Sequence, residues 1–285
     1  MKKILVATDF SVSAENAARY ALMLGSALQA TIVLVHAFKV PNETRIAAQV
    51  AWPLMDYPTL KRDVDNELVA QVNKLRRSYP EGEPYCPDLS YEGVIGRVDD
   101  VITSYVGSDE NELVVMGVSG ASATEKFFLG SNTREMIDRA RFPLLLIPYE
   151  AAFKPIKKIV FATDLGREEI APFRNLHAFA SQLGAEIVIV HITNQEVKPE
   201  SDLQKAIDSF LKDAVTDTVV KVRYEYVWNI YADDGLVWIA EQPDVDMIAL
   251  SHHRHQFIHR TFIGSHTQRL SRHVKIPLLV FRAGI

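Results

Sequence analysis

"KKILVATDF" at residues 2 to 10 returns as "KKIVFATDL" at 157 to 165, and "ATIVLVHA" at 30 to 37 returns as "AEIVIVHI" at 185 to 192. Both pairs lie 155 positions apart. Two matches at one spacing mean that a single folding unit is used twice. "FFLGSNT" at 127 to 133 matches "FIGSHT" at 262 to 267, and "RFPLLLIP" matches "KIPLLVFR", but here the spacing is 134. The second copy has thus lost 21 residues from its middle, the difference between 155 and 134. The copies meet in "PYEAAFKPIK", a short stretch with two prolines, which predicts domains over 1–150 and 151–285. A chain of 285 residues suits two domains of ordinary size.

Within each copy, short apolar runs alternate with helical patterns. "ILVAT", "TIVLVHA", "ELVVMG" and "PLLLIP" are near-continuous Val/Ile/Leu runs, as in strands covered on both faces of a parallel sheet. "SAENAARYALMLGSALQA" carries apolar residues at helical spacing, and "SNTREMIDRA" opens on Ser131 and Asn132, both good capping types. Strand and helix in turn imply right-handed crossovers and a doubly wound α/β layer. The proline-bearing segment 39–60 reads as a loop and partial helix over the sheet edge, shortened in copy two.

Ligands of such sheets sit beyond the carboxyl ends of the strands, where the strand order reverses. The first strand ends in "ATDF", presenting Asp9. The run "ELVVM" leads into "GVSGASATEKFFLGSNT", with two residues between Gly117 and Gly120 and nine more before Gly130. Glycine lets the backbone turn tightly and come close to a ligand. Gly130 and Ser131 stand where a helix begins, with free N–H groups and a dipole that favours an anion. A phosphate fits there, and Asp9 could take a ribose hydroxyl or an adenine-side donor. The same glycines also serve as simple turn-makers, and Asp9, Ser11 and Ser13 as a helix-start cluster.

With the repeat, the "ATD" ending and the glycine spacing taken together, the chain resembles the universal stress protein family in a tandem form, over essentially its whole length. The resemblance implies two repeats of a five-stranded parallel sheet with helices on both faces, Rossmann-like and flavodoxin-like. In the first domain it places adenine and ribose contacts on Ala7, Thr8, Asp9 and Ala37. The phosphates would meet the backbone of Met116, Gly117, Gly120, Gly130, Ser131 and Asn132. The implied cofactor is ATP, with Mg2+ or Mn2+ on its phosphates. The last strand would pair the two domains as an internal pseudo-dimer, and a homodimer of chains is left open. Copy two keeps Asp164, Gly264 and Ser265 but has Ser251 and Arg254 for the first two glycines, so its site is altered or empty. Arg254 could still attract an anion.

A net charge of −5 gives no basic face for nucleic acid, and the lone Cys86 forms no internal disulfide. "MKKILVATDF" reads as a strand and not a signal peptide, and no apolar run is long enough for a membrane span, so the expectation is a cytoplasmic protein. Of nine histidines, six fall in the last 34 residues. His252, His253 and His255 could bind zinc, but a solvated polar loop is the plainer reading, and no metal site is assigned. His36 and His191 read as structural histidines. There is no Walker A loop, no G-x-G-x-x-G and no G-x-S-x-G, and no catalytic residue is assigned. The leading expectation is an ATP-binding regulatory protein. A slow ATPase timer, or a nucleotide-free scaffold or metal-responsive module acting through the second copy, are the alternatives.

Overall fold

A computed structural model describes residues 2–39, 57–83, 85–106, 112–118, 131–193, 200–215, 219–228, 232–252 and 275–282. The first domain runs β1 (Lys3–Ala7), α1 (Val12–Leu28), β2 (Thr31–Phe38), α2 (Tyr57–Ser78), β3 (Leu89–Ile95), α3 (Val98–Tyr105), β4 (Glu112–Val118), α4 (Ser131–Arg139) and β5 (Leu144–Pro148). The second has β6 (Lys158–Ala162), a 3₁₀ turn (Arg167–Glu169), α5 (Ile170–Leu183), β7 (Glu186–Thr193) and α6 (Glu200–Ala214). It continues with β8 (Val222–Trp228), α7 (Ala232–Ala240), β9 (Met247–His252) and β10 (Leu278–Arg282). Of the irregular segment read at 39–60, the part from Tyr57 is the start of α2, and residues 40–56 lie outside the described residues.

The strands form one sheet in the order β3-β2-β1-β4-β5-β10-β9-β6-β7-β8. All neighbours are parallel except β5 and β10, which pair antiparallel. At that seam Leu145 faces Leu279, its own counterpart at the 134-residue spacing, with Leu144 opposite Val280 and Leu146 opposite Leu278. A residue paired with its counterpart marks a local two-fold axis. The seam also covers two strand edges that would otherwise present unpaired N–H and C=O groups.

Alternate residues of each strand point to opposite faces. Ile4 and Val6 pack with α1 and α2, whereas Leu5 and Ala7 pack with the α3 and α4 side. Each of these two cores runs across both domains. Helix α1 adds a direct tie to the interdomain linker: Asn16 Nδ2 donates to the carbonyls of Pro148 (3.1 Å) and Ala151 (3.0 Å). One turn further along, Tyr20 meets Phe153 edge-on at 5.1 Å, and its burial drives the phenol pKa far above the ordinary tyrosine value.

The two copies end their first helices alike. The C-cap of α5 is Gly184 in the left-handed region (φ 63), and that of α1 is Gln29 at φ 53. A β-carbon is strained there, while glycine is not. Gln29→Gly is expected to raise the free energy of unfolding by about 0.5–1 kcal/mol in urea or thermal denaturation. A loss of stability would contradict this assignment of the strain.

Candidate functional site

The connections leave β1 on both sides, so the strand order reverses between β1 and β4, and a pocket of about 170 Å³ opens there. Its floor is the strand ends: Ala7, Thr8 and Asp9 after β1, Val35 and Ala37 of β2, Met116 and Gly117 of β4. Val98 and Ile102 of α3 close one side. The first turns of two helices reach the same space, with Ser11, Ser13 and Ala14 from α1 and Ser131, Asn132 and Thr133 from α4. The lining therefore combines apolar side chains with helix starts. The first turn of α4 has no acidic side chain, so its backbone N–H groups and dipole favour negative charge.

The turn between β1 and α1 is held by its own side chains. Phe10 adopts a left-handed conformation (φ 63), and its N–H donates to Thr8 Oγ1 at 3.1 Å. Asp9 Oδ1 accepts the N–H of Ser11 at 3.0 Å, and Ser11 Oγ caps α1 by accepting from Ala14 N at 3.2 Å. Thr8 Oγ1 in turn donates to Gln71 Oε1 on α2 (3.1 Å). His36 contacts the Thr8 carbonyl through Nδ1 at 2.7 Å. A carbonyl can only accept, so Nδ1 carries the proton. His191 repeats the contact with the Thr163 carbonyl at 2.9 Å, which makes both histidines supports for the turn.

Gly117 serves first as a packing residue. It sits inside β4, opposite Ile147, and not in a turn. A Cβ there would lie 2.3 Å from the backbone oxygen of Ser13 and 2.8 Å from the nitrogen of Ala14. The bare strand lets the first turn of α1 lie directly on β4, which brings Ser11 and Ser13 to the pocket. Helix α4 is fixed from the other side by α3. The buried Asp99 carboxylate accepts from Arg97 Nε (3.2 Å) and Arg139 Nη1 (2.5 Å), while Arg97 Nη2 also reaches Glu135 (2.5 Å). Burial pushes the Asp99 carboxyl up, but the Arg97 hydrogen bond and the charges of Arg97 and Arg139 outweigh it and hold it below the usual aspartate value.

Among the described residues the matching place in the second domain is almost filled; residues 265–267, the counterparts of Ser131–Thr133, lie outside them. Its pocket has a volume of about 20 Å³, room for roughly one water, and is lined by Ala162, Thr163, Asp164, Glu169, Val190, Ile192 and Ser251. Ser251 stands at the position of Gly117, is buried, and its Oγ has no hydrogen-bond partner among the described residues. Here the regular helix starts only at Ile170, after the 3₁₀ turn, whereas α1 starts at Val12, the counterpart of Arg167. The backbone that packs on Gly117 in copy one is thus rebuilt where a serine replaces the glycine.

Eight residues expected at a nucleotide, Ala7, Thr8, Asp9, Ala37, Met116, Gly117, Ser131 and Asn132, are brought together around the first pocket. Gly120 and Gly130 lie outside the described residues, as do Arg254, Gly264, Ser265, His253 and His255. Asp164 and Ser251 line the second pocket, and His252 ends β9. No group of three potential metal ligands occurs among the described residues. Sequence reasoning missed Ala14, Val35, Val98, Ile102 and Thr133 in the first pocket and Ala162, Thr163, Val190, Glu169 and Ile192 in the second. Direct comparison of the copies holds the signal for the last two, since Ala14 aligns with Glu169 and Ala37 with Ile192.

Gly117→Ser in the full chain is expected to lower stability by about 1–3 kcal/mol in urea denaturation, the ordinary cost of overpacking. An unchanged midpoint would show that α1 does not depend on the missing Cβ.

The model of the universal stress protein family matches residues 1–148 and again 155–282. A universal stress protein of Methanocaldococcus jannaschii is 24% identical over 146 residues, covering 51% of this chain and 81% of the relative. One from Mycobacterium tuberculosis H37Rv is 26% identical over 195 residues, covering 66% of this chain but 63% of the relative. Among solved structures, a universal stress protein of Archaeoglobus fulgidus DSM 4304 superposes with a TM-score of 0.68 at 15% identity, over 99% of this chain and 98% of the other. A functionally unknown protein of Pseudomonas aeruginosa PAO1 gives 0.56 at 13% identity, over 99% and 93%. At these identities the superpositions show the fold, and the family match supplies the rest: the chain belongs to the universal stress protein family, as two such domains in tandem.

Proposed function

We propose that the protein is an ATP-binding regulator of the stress response, with one nucleotide held in the first domain. The observation that carries this reading is the mixed lining of the first pocket. Val35, Ala37, Val98, Ile102 and Met116 offer an apolar slot for a flat base, and the first turns of α1 and α4 line the same space and would face an anion. Asp9 also lines the pocket and would take a ribose hydroxyl. Ser131 and Asn132 would hold phosphate, and Mg2+ or Mn2+ would ride on the phosphate oxygens. Gly120 and Gly130 complete the set on the sequence spacing alone.

Binding without turnover is the favoured activity, because among the described residues no side chain at the pocket is set up as a general base beside the start of α4. Asp9 is tied to the Ser11 N–H, and the α4 first turn is free of carboxylates. The proposed setting is the cytoplasm; among the described residues no helix is long and apolar enough to cross a membrane.

Calorimetric titration of the nucleotide-stripped chain with ATP and magnesium is expected to give one site per chain. Gly120→Arg, which copies the second domain's residue, is expected to weaken it at least about tenfold, or 1.4 kcal/mol. Two equal sites, or no binding by calorimetry and equilibrium dialysis, would overturn the proposal. Phosphate released from the same samples and lost in Asp9→Asn would replace it with the slow-ATPase reading.

A further inference from the structure

We infer that two residue pairs decide which pocket of the chain accepts a ligand: Glu169 and Ile192 occupy the second pocket from within, while Ala14 and Ala37 at the equivalent positions keep the first one open. The statement about ligand choice rests on the nucleotide reading; the statement about sealing does not.

Both copies present the same frame. Thr8 and Thr163 end their strands identically, Phe10 and Leu165 share the left-handed turn (φ 63 and 60), and each N–H donates back to its threonine hydroxyl. His36 and His191 brace the two turns in the same way. The pocket volumes nevertheless differ, about 170 against 20 Å³. Among the described residues the linings differ in Ser251 for Gly117, in the rebuilt helix start, and in the side chains of Glu169 and Ile192, and the last two are the ones that add bulk inside the pocket.

Glu169 is one of them. It is 3% exposed, and its Oε2 accepts the Thr163 hydroxyl, the N–H of Asp164 at 3.1 Å and the N–H of Gly166 at 3.3 Å. A carboxylate with several donors is strongly held. The Thr163 hydroxyl is thereby committed to the pocket's own wall, whereas that of Thr8 is directed away to Gln71 on α2. Ile192 is the other. It adds a branched side chain where Ala37 has one methyl, and it is wedged in place by α7, since a Cβ on Gly235 would come within 2.7 Å of its Cγ2. A helix-start glutamate that caps its own turn is common. Helix capping explains the bond to Gly166, but not the bond to Thr163 or the partner change at Ile192.

The sealing can be read without any nucleotide. Ser251 lines the second pocket, is 3% exposed, and its hydroxyl makes no hydrogen bond among the described residues, so Ser251→Cys sacrifices none of those. In a Cys86→Ser background this thiol is the only one in the chain, and its rate of reaction with iodoacetamide reports access. The rate is expected to rise at least about tenfold when Glu169→Ala and Ile192→Ala are added, below the thermal transition of both proteins. Equal rates with and without those changes would overturn the sealing. Should the double change unfold the domain, Glu169→Ala and Ile192→Val are measured singly against the same threshold.

The converse experiment closes the first pocket. Ala14→Glu with Ala37→Ile is expected to weaken ATP binding by at least about tenfold in calorimetry. Glutamate at position 14 forms an S-x-x-E box with Ser11, so α1 is kept, which circular dichroism checks. Unchanged affinity would overturn the assignment of pocket choice to these pairs. If the unmodified chain takes no ATP, the nucleotide reading fails while the labelling rates still decide whether the second pocket is sealed.

Discussion

The contact between the first turn of a helix and a strand with no side chain in its way governs how each half of this protein is used. In the first domain Gly117 leaves the end of β4 bare, and the carbonyl of Ser13 fills the space where a Cβ would be. That approach sets Ser11, Ser13 and Ala14 at the rim of the pocket, opposite the first turn of α4. Under the proposed reading, glycine here would support ligand binding at one remove. It positions a helix start whose Ala14 N–H is capped by Ser11 and whose remaining N–H groups and dipole would act on an anion. Where Ser251 replaces it, the start of the helix is rebuilt as a 3₁₀ turn and a glutamate lies where the pocket would open.

The two halves are nevertheless one mechanical body. The β5–β10 pairing joins ten strands into one sheet, and the hydrophobic layers above and below it cross the seam without a break. Burying a side chain such as Leu145 or Leu279 contributes about 1.5–3 kcal/mol each, so the seam is part of the core and not a loose junction. Helix α1 touches both regions that matter. Its first turn lines the pocket, and Asn16 and Tyr20 on the same helix hold the linker at Pro148, Ala151 and Phe153. If the second pocket is sealed as proposed, the second domain would give the first a rigid partner and add no second ligand.

Much of this was legible from the chain itself. Strands covered on both faces write their position as unbroken Val/Ile/Leu runs, and repeating the whole pattern at one spacing doubles the evidence for every element. The C-terminal ends of β1 and β4 were also legible, because Asp9 and Gly117 stand immediately after or within those runs. The ring of Val35, Val98 and Ile102 was not. Those residues look like ordinary core positions, and only the crossover of α3 over the sheet brings them to one slot. Gly117 was misread in part for a related reason: its spacing from Gly120 suggests a turn, while the reason for its missing Cβ lies on a helix about a hundred residues earlier. Ala14 and Ala37 carry meaning only by contrast, since a small residue is informative once Glu169 and Ile192 show what the same frame does with a large one.

The central claim, one open pocket and one closed by its own side chains, is tested most directly by a crystal structure of the full chain grown with magnesium and a non-hydrolysable ATP analogue. The account predicts a base between Ala37 and Ile102, phosphates at the first turn of α4, and an undisturbed Glu169 bonded to Thr163 in the second domain. Nucleotide in the second pocket with Glu169 displaced, or no nucleotide in the first at saturating concentration, would contradict it.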